Sequence, residues 1–119
     1  MLSTEYKYLI SQIVDLTNKN RISWSKYDSQ NSLVCITDGR KIVIDKYFSK
    51  KDGTDITCFN FSILKSNDSL VDEIVYCNNV PDLSDYSILE NMYTTIESKY
   101  LDNGINSEIR KISQSLSHD

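Results

Sequence analysis

Histidine is almost missing from this chain, and the single one, His118, sits next to last in a polar tail. Proton transfer at neutral pH most often uses a positioned imidazole, and zinc sites usually include one. A residue in a fraying terminus supplies neither role. Glycine is scarce too. Gly39, Gly53 and Gly104 each read as a turn or a helix cap, which leaves no loop to cradle a phosphate. No run approaches the ~20 apolar residues that a membrane-spanning helix needs. The opening Met1-Leu2-Ser3-Thr4-Glu5-Tyr6 has no basic segment followed by an apolar one, so no secretory leader is expected. The three cysteines are an odd number without a Cys-x-x-Cys pair, and the expectation is reduced thiols in the cytoplasm. Basic residues cluster only in pairs such as Arg40-Lys41 and Lys50-Lys51, and the net charge is −4. A nucleic-acid-binding face needs a denser basic patch, so direct nucleic-acid contact is not expected. Alanine is absent while Ile, Asn, Lys, Ser and Tyr abound, a usage that suits A+T-rich codons. A low-GC bacterium or its phage is the expected source.

What is present reads as one α+β domain over 1–119. Leu2, Tyr6, Leu9, Ile13 and Leu16 fall at four-three-four-three spacing, which predicts a helix with Ser3 or Thr4 at its cap and Asn18-Lys19-Asn20 at its end. Alternating segments follow: Arg21 to Tyr27, Ser32 to Thr37, Arg40 to Phe48, Ile56 to Leu64 and Leu70 to Cys77. Asp38-Gly39 and Asp52-Gly53 stand between them, and such pairs favour type I′ hairpin turns. Asn67-Asp68 supplies a third two-residue turn, and Asp28 to Asn31 a four-residue loop. The spacing then predicts a helix over Leu83 to Leu101, capped by Asp82 or Ser84 and stopped at Asn103-Gly104. A short last helix carries Ile105, Ile109, Ile112 and Leu116. The expected architecture is an N-terminal helix, an antiparallel meander of four or five strands and two C-terminal helices.

The hairpin registers can be tested against one another, because directly opposed residues share a face and a one-residue slip reverses every side chain. All of them place Leu33, Cys35, Ile42, Ile44, Phe48, Phe59, Phe61, Ile63, Ile74 and Tyr76 on one side, with Trp24 and Ile22 beside them. This is the side that the helices must cover. The opposite face mixes Val34, Ile36, Val43, Tyr47, Ile56, Cys58, Leu64, Val71, Val75 and Cys77 with Lys41, Asp45, Asn60, Ser62 and Glu73. Three explanations remain open for it: a helix crosses to that side, a partner or second copy covers it, or it is a wet face rich in β-branched residues.

The candidate chemistry is thin. Cys58 and Cys77 are opposed, which admits a redox pair, yet Cys35 points to the other side and the spacings make a poor metal set. Small apolar packing is the reading taken for all three thiols. Asp82 and Asp85 suit the positive end of a helix, and Asp72 is an acid on the core face near a strand end where water can reach it. Eight tyrosines fall mostly on inward stripes. Lys19 to Trp24 (Lys-Asn-Arg-Ile-Ser-Trp), the hairpins and Leu89 to Tyr93 (Leu-Glu-Asn-Met-Tyr) resemble small uncharacterised bacterial domains found near mobile elements, a resemblance that implies the order of elements and no activity.

These readings point to a non-enzymatic cytoplasmic protein-interaction module, an accessory, inhibitor or immunity-type factor without cofactor or metal. It would act on a protein partner, or as a homodimer, through Val34, Ile36, Val43, Tyr47, Val71 and Val75. The alternative is a small-molecule-binding domain with an aromatic-lined pocket between sheet and helices, built from Trp24, Phe59, Phe61 and tyrosines.

Overall fold

The computed structural model describes residues 1–117, so His118 lies outside the described residues. The elements run α1 (Thr4–Asn18), β1 (Ser25–Lys26), β2 (Ser32–Thr37), β3 (Arg40–Lys51), β4 (Thr54–Lys65), β5 (Leu70–Cys77) and α2 (Ser84–Leu116). The five strands form one antiparallel sheet in sequence order, β1-β2-β3-β4-β5.

The turns explain that order. Asp38 and Gly39 have φ of 49° and 69°, and Asp52 and Gly53 have 52° and 78°. Positive φ at both central residues matches the twist of the flanking strands. The registers follow: Leu33 pairs with Ile44, Ile44 with Phe61, and Phe61 with Ile74. Lys26 pairs with Leu33, as a four-residue loop after Tyr27 requires, though β1 is only two residues long. At the last turn the two-residue reading fails. Lys65 N–H donates to Ser69 C=O, Asp68 takes φ of 69°, and Ile63 pairs with Asp72 while Leu64 pairs with Leu70. Val71 is therefore the extra residue of a β-bulge.

Both helices lie on the rich face. Ile10 and Ile13 of α1, and Tyr86, Leu89, Met92, Tyr93 and Ile96 of α2, join Leu33, Cys35, Ile42, Ile44, Phe59 and Phe61 in one core. Ile44, Phe61, Leu89, Met92 and Ile96 are fully buried. Phe59 packs against Tyr86 and Tyr93 with ring centroids 5.4 Å apart in each case, and Tyr6 meets Phe61 edge-on at 5.9 Å. Ser3 caps α1 by accepting from Tyr6 N–H at 3.2 Å. Asp82 accepts from the Ser84 N–H at 3.0 Å at the start of α2.

Three sequence expectations are corrected here. Among the described residues there are two helices, not three, because α2 runs through Asn103-Gly104 without a break. Gly104 keeps a helical backbone, since positive φ among the glycines is confined to Gly39 and Gly53. Phe48 is 65% exposed rather than part of the core, because β3 and β4 extend past the edge of the helical layer. The third concerns the thiols. Cys58 and Cys77 are joined in a disulfide, and Cys35 alone is free and buried. The two bonded residues face each other on β4 and β5 with Cα atoms 4.1 Å apart. The adjacent Asn78 N–H donates to Thr57 C=O at 3.0 Å, so Cys58 and Cys77 occupy the close, non-hydrogen-bonded kind of pair.

Among the described residues no helix is long and apolar enough to cross a membrane.

Candidate functional site

With both helices on one side, the opposite face of the sheet has no helical cover among the described residues. Its residues come in rows set by the register. Inside the outlying Ser49–Ile56 pair, Tyr47, Cys58 and Cys77 form the first row that three strands share. Ser32, Asp45, Asn60 and Val75 form the next. Val34, Val43, Ser62 and Glu73 follow, and Ile36, Lys41, Leu64 and Leu70 close the other end. The middle of the face is polar and its two ends are apolar.

The polar middle is hydrogen-bonded to itself. Ser32 Oγ donates to Asp45 Oδ1 at 2.9 Å and lies 2.9 Å from Ser29 Oγ. Ser62 Oγ donates to Asn60 Oδ1 at 2.9 Å, and Asn60 Nδ2 donates to Glu73 Oε1 at 2.8 Å. Ser32, Asp45, Asn60, Ser62 and Glu73, with Asp28, Leu64 and Leu70, line an open groove of about 360 Å³. Asp28, Asp45 and Glu73 make its lining acidic.

Tyr27 straps one end of the groove. Its backbone N–H donates to Ser32 C=O, which anchors it in the Ser32 row. Its hydroxyl reaches Asp68 Oδ1 at 3.2 Å, and the same oxygen takes the Lys41 ammonium at 2.6 Å. Lys41 Nζ also stands 6.0 Å from the Tyr27 ring. The tyrosine side chain thus passes over the Val34–Val43 row that lies between its root and Lys41. The ion pair and hydrogen bond hold the Asp68 carboxyl below the ordinary carboxylate range and push the Lys41 ammonium up.

The six residues read from the sequence as partner-binding fall into two groups. Val34 and Val43 are buried in the floor. Ile36 (71% exposed), Val71 (50%), Val75 (42%) and Tyr47 (38%) stand on the margins. Alternation alone puts Val71 on this side, whereas Leu70 joins the Leu64 row only through the bulge, which alternation could not signal. The groove-lining Asp45, Asn60, Ser62 and Glu73 were visible in the sequence as polar interruptions of this face, whereas the reach of Tyr27 to Asp68 crosses 41 positions and left no local pattern.

Elsewhere, Trp24 Nε1 donates to Thr17 Oγ1 at 3.1 Å, so the tryptophan is pinned to the end of α1. Phe59 and Phe61 are packed at 1% and 0% exposure. Burial pushes the Cys35 thiol up, which disfavours its thiolate. Among the described residues no three His, Cys, Asp or Glu side chains converge as a metal-binding group.

The sequence matches no family model and no curated protein, and the structure matches no solved one.

Proposed function

We propose that this chain is a non-enzymatic protein-interaction module that binds its partner on the uncovered sheet face. The observation that carries this reading is the placement of α1 and α2 on a single side. It leaves Ile36, Tyr47, Val71 and Val75 exposed around a groove whose polar lining is acidic. Exposed apolar residues around a polar floor are the make-up of a docking surface.

The chemistry of the groove supports a basic partner. Lys41 is already spent on Asp68, so Asp28, Asp45 and Glu73 set the local charge. A partner with a lysine or arginine entering the groove, and aliphatic or aromatic side chains over Tyr47 and Val75, fits best. The net charge of −4 steers a basic partner toward the chain as a whole. An aromatic-lined ligand pocket under the helices has less support, because Phe59 and Phe61 are already enclosed by α2 side chains.

A cytoplasmic site of action belongs to this reading only with Cys58 and Cys77 as thiols, since glutathione and thioredoxin keep such pairs reduced there. A bonded pair goes with an oxidising compartment.

Binding to a captured partner tests the reading when the face itself is varied. Val75→Glu and Ile36→Glu should each weaken binding at least tenfold without changing the far-UV circular dichroism. Asp45→Asn should reduce its salt dependence. A partner held equally well by all three variants would move the site off this face.

A further inference from the structure

The second half of α2 carries an apolar stripe that the other described residues leave bare. Leu101, Ile105, Ile109, Ile112 and Leu116 are 53–67% exposed. Their spacing of four, four, three and four residues confines them to a strip about 80° wide on an α-helix. Arg110, Lys111 and Gln114 fall on the opposite side. The first half of the same helix buries Leu89, Met92, Tyr93 and Ile96 in the core. Core-like patterning therefore continues beyond the part of α2 that the sheet uses. At the junction, Trp24, Tyr100, Leu101, Gly104 and Ile105 border an open cleft of about 560 Å³.

We propose that this half-helix pairs with the same segment of a second copy of the chain, antiparallel, about a two-fold axis that crosses between positions 110 and 111. In that register Ile109 meets Ile112 of the partner subunit, and Ile105 meets Leu116 of the partner subunit. The axis repeats both contacts, so four apolar layers form from one stripe, the self-complementarity that a two-fold interface demands. The outermost layer sets Leu116 of the partner subunit at the mouth of the cleft beside Trp24.

The flanks agree with this pairing. Glu108 comes beside Ser115 of the partner subunit, and Asn106 beside Ser113 of the partner subunit, so no like charges are opposed. Arg110 and Lys111 face outward. Burying the four aliphatic side chains of these layers and their neighbours on each copy removes on the order of 1,000 Å² in total, the size at which specific interfaces begin. A lipid surface suits the stripe less well. Helices that lie on membranes carry rows of Lys and Arg beside Trp, Phe and Leu, and this segment has two basic residues and no aromatic one. The stripe is a different surface from the sheet face, so the two assignments fail separately.

Light scattering of the full chain at tens of micromolar should give twice the 13.7 kDa chain mass. Ile109→Glu and Ile112→Glu, at exposed positions that leave folding untouched, should each return the mass to that of one chain with an unchanged far-UV spectrum. Val75→Glu should leave the dimer intact. A mixture of Ile105→Cys chains and Leu116→Cys chains should cross-link under mild oxidation, while Ile105→Cys chains alone should not. A monomeric wild type overturns the proposal, as does a dimer indifferent to Ile109→Glu or ready cross-linking of Ile105→Cys to itself. A monomer that binds phosphatidylcholine vesicles, and loses that binding with Ile109→Glu, assigns the stripe to lipid and overturns the proposal as well.

Discussion

The Tyr6 hydroxyl donates to Asp72 Oδ2 and so ties the first helix to the free edge of the sheet across 66 positions of sequence. Burial, then the hydrogen bond and the negative charge of Asp72, push the Tyr6 phenol up to about 12. The same hydrogen bond, helped by the Glu73 backbone, holds the Asp72 carboxyl below its ordinary value of 3.8. Each shift is a statement about stability. The raised phenol favours the folded state below pH 10, and that contribution is lost as pH climbs from 10 through 12. The lowered carboxyl contributes above pH 3.8, and its share disappears as pH falls below that value. Thermal unfolding recorded against pH should show both limbs. Tyr6→Phe should shrink the acid limb and shallow the alkaline one, with the rest of the alkaline limb left to the raised phenols of Tyr27, Tyr76, Tyr86 and Tyr93. Identical profiles for the two proteins would deny the contact.

The Cys58–Cys77 bond closes a loop between residues 19 apart and fastens β5, the last strand of the sheet, to its neighbour β4. Restricting the unfolded chain by a loop of this size stabilises the folded state by about 3 kcal/mol. Cys58→Ser with Cys77→Ser, or a reductant, should lower the urea midpoint accordingly. Alkylation of the denatured, unreduced chain should label only one thiol, Cys35. Three labelled thiols in protein purified under oxidising conditions would exclude the bond.

Gly104 marks where sequence logic and tertiary structure part. The strands were legible because Asp38-Gly39 and Asp52-Gly53 demand a backbone that few other pairs accept, and because every slip of register would have turned Ile44, Phe61 and Ile74 outward. Polar alternation on the far side revealed Asp45, Asn60, Ser62 and Glu73 in the same way. Parity tells which face a residue takes but not how far the cover extends, so Phe48 was placed under helices that stop short of it. An Asn-Gly pair stops a helix only when the glycine turns left-handed, and here the helical geometry simply continues. That difference can be measured. Beyond its chain neighbours and the helix's own backbone, nothing lies within 4 Å of the position a Cβ would take at Gly104. Gly104→Ala should therefore stabilise the chain by up to about 1 kcal/mol and raise its helical signal. A helix broken at this glycine would instead be destabilised by the same substitution.

Trp24 offers the last test, because it is the only tryptophan and its fluorescence reports one environment. Its ring is buried and its Nε1–H has a single buried acceptor, Thr17 Oγ1 at 3.1 Å, on the final turn of α1. Thr17 is 1% exposed, so water cannot readily replace it. Thr17→Val keeps the shape and removes the acceptor, which leaves a buried donor unpaired at a cost of about 1–3 kcal/mol. Thr17→Ser restores the oxygen and gives up one methyl group, so it should recover most of the hydrogen-bond energy while losing about 1 kcal/mol of packing. The two variants separate hydrogen bonding from packing: if the bond anchors Trp24, Val is the more damaging residue despite its better volume match. Urea unfolding followed by tryptophan emission measures both. If Ser were the worse of the two, methyl packing rather than the hydrogen bond would hold the α1 terminus against Trp24.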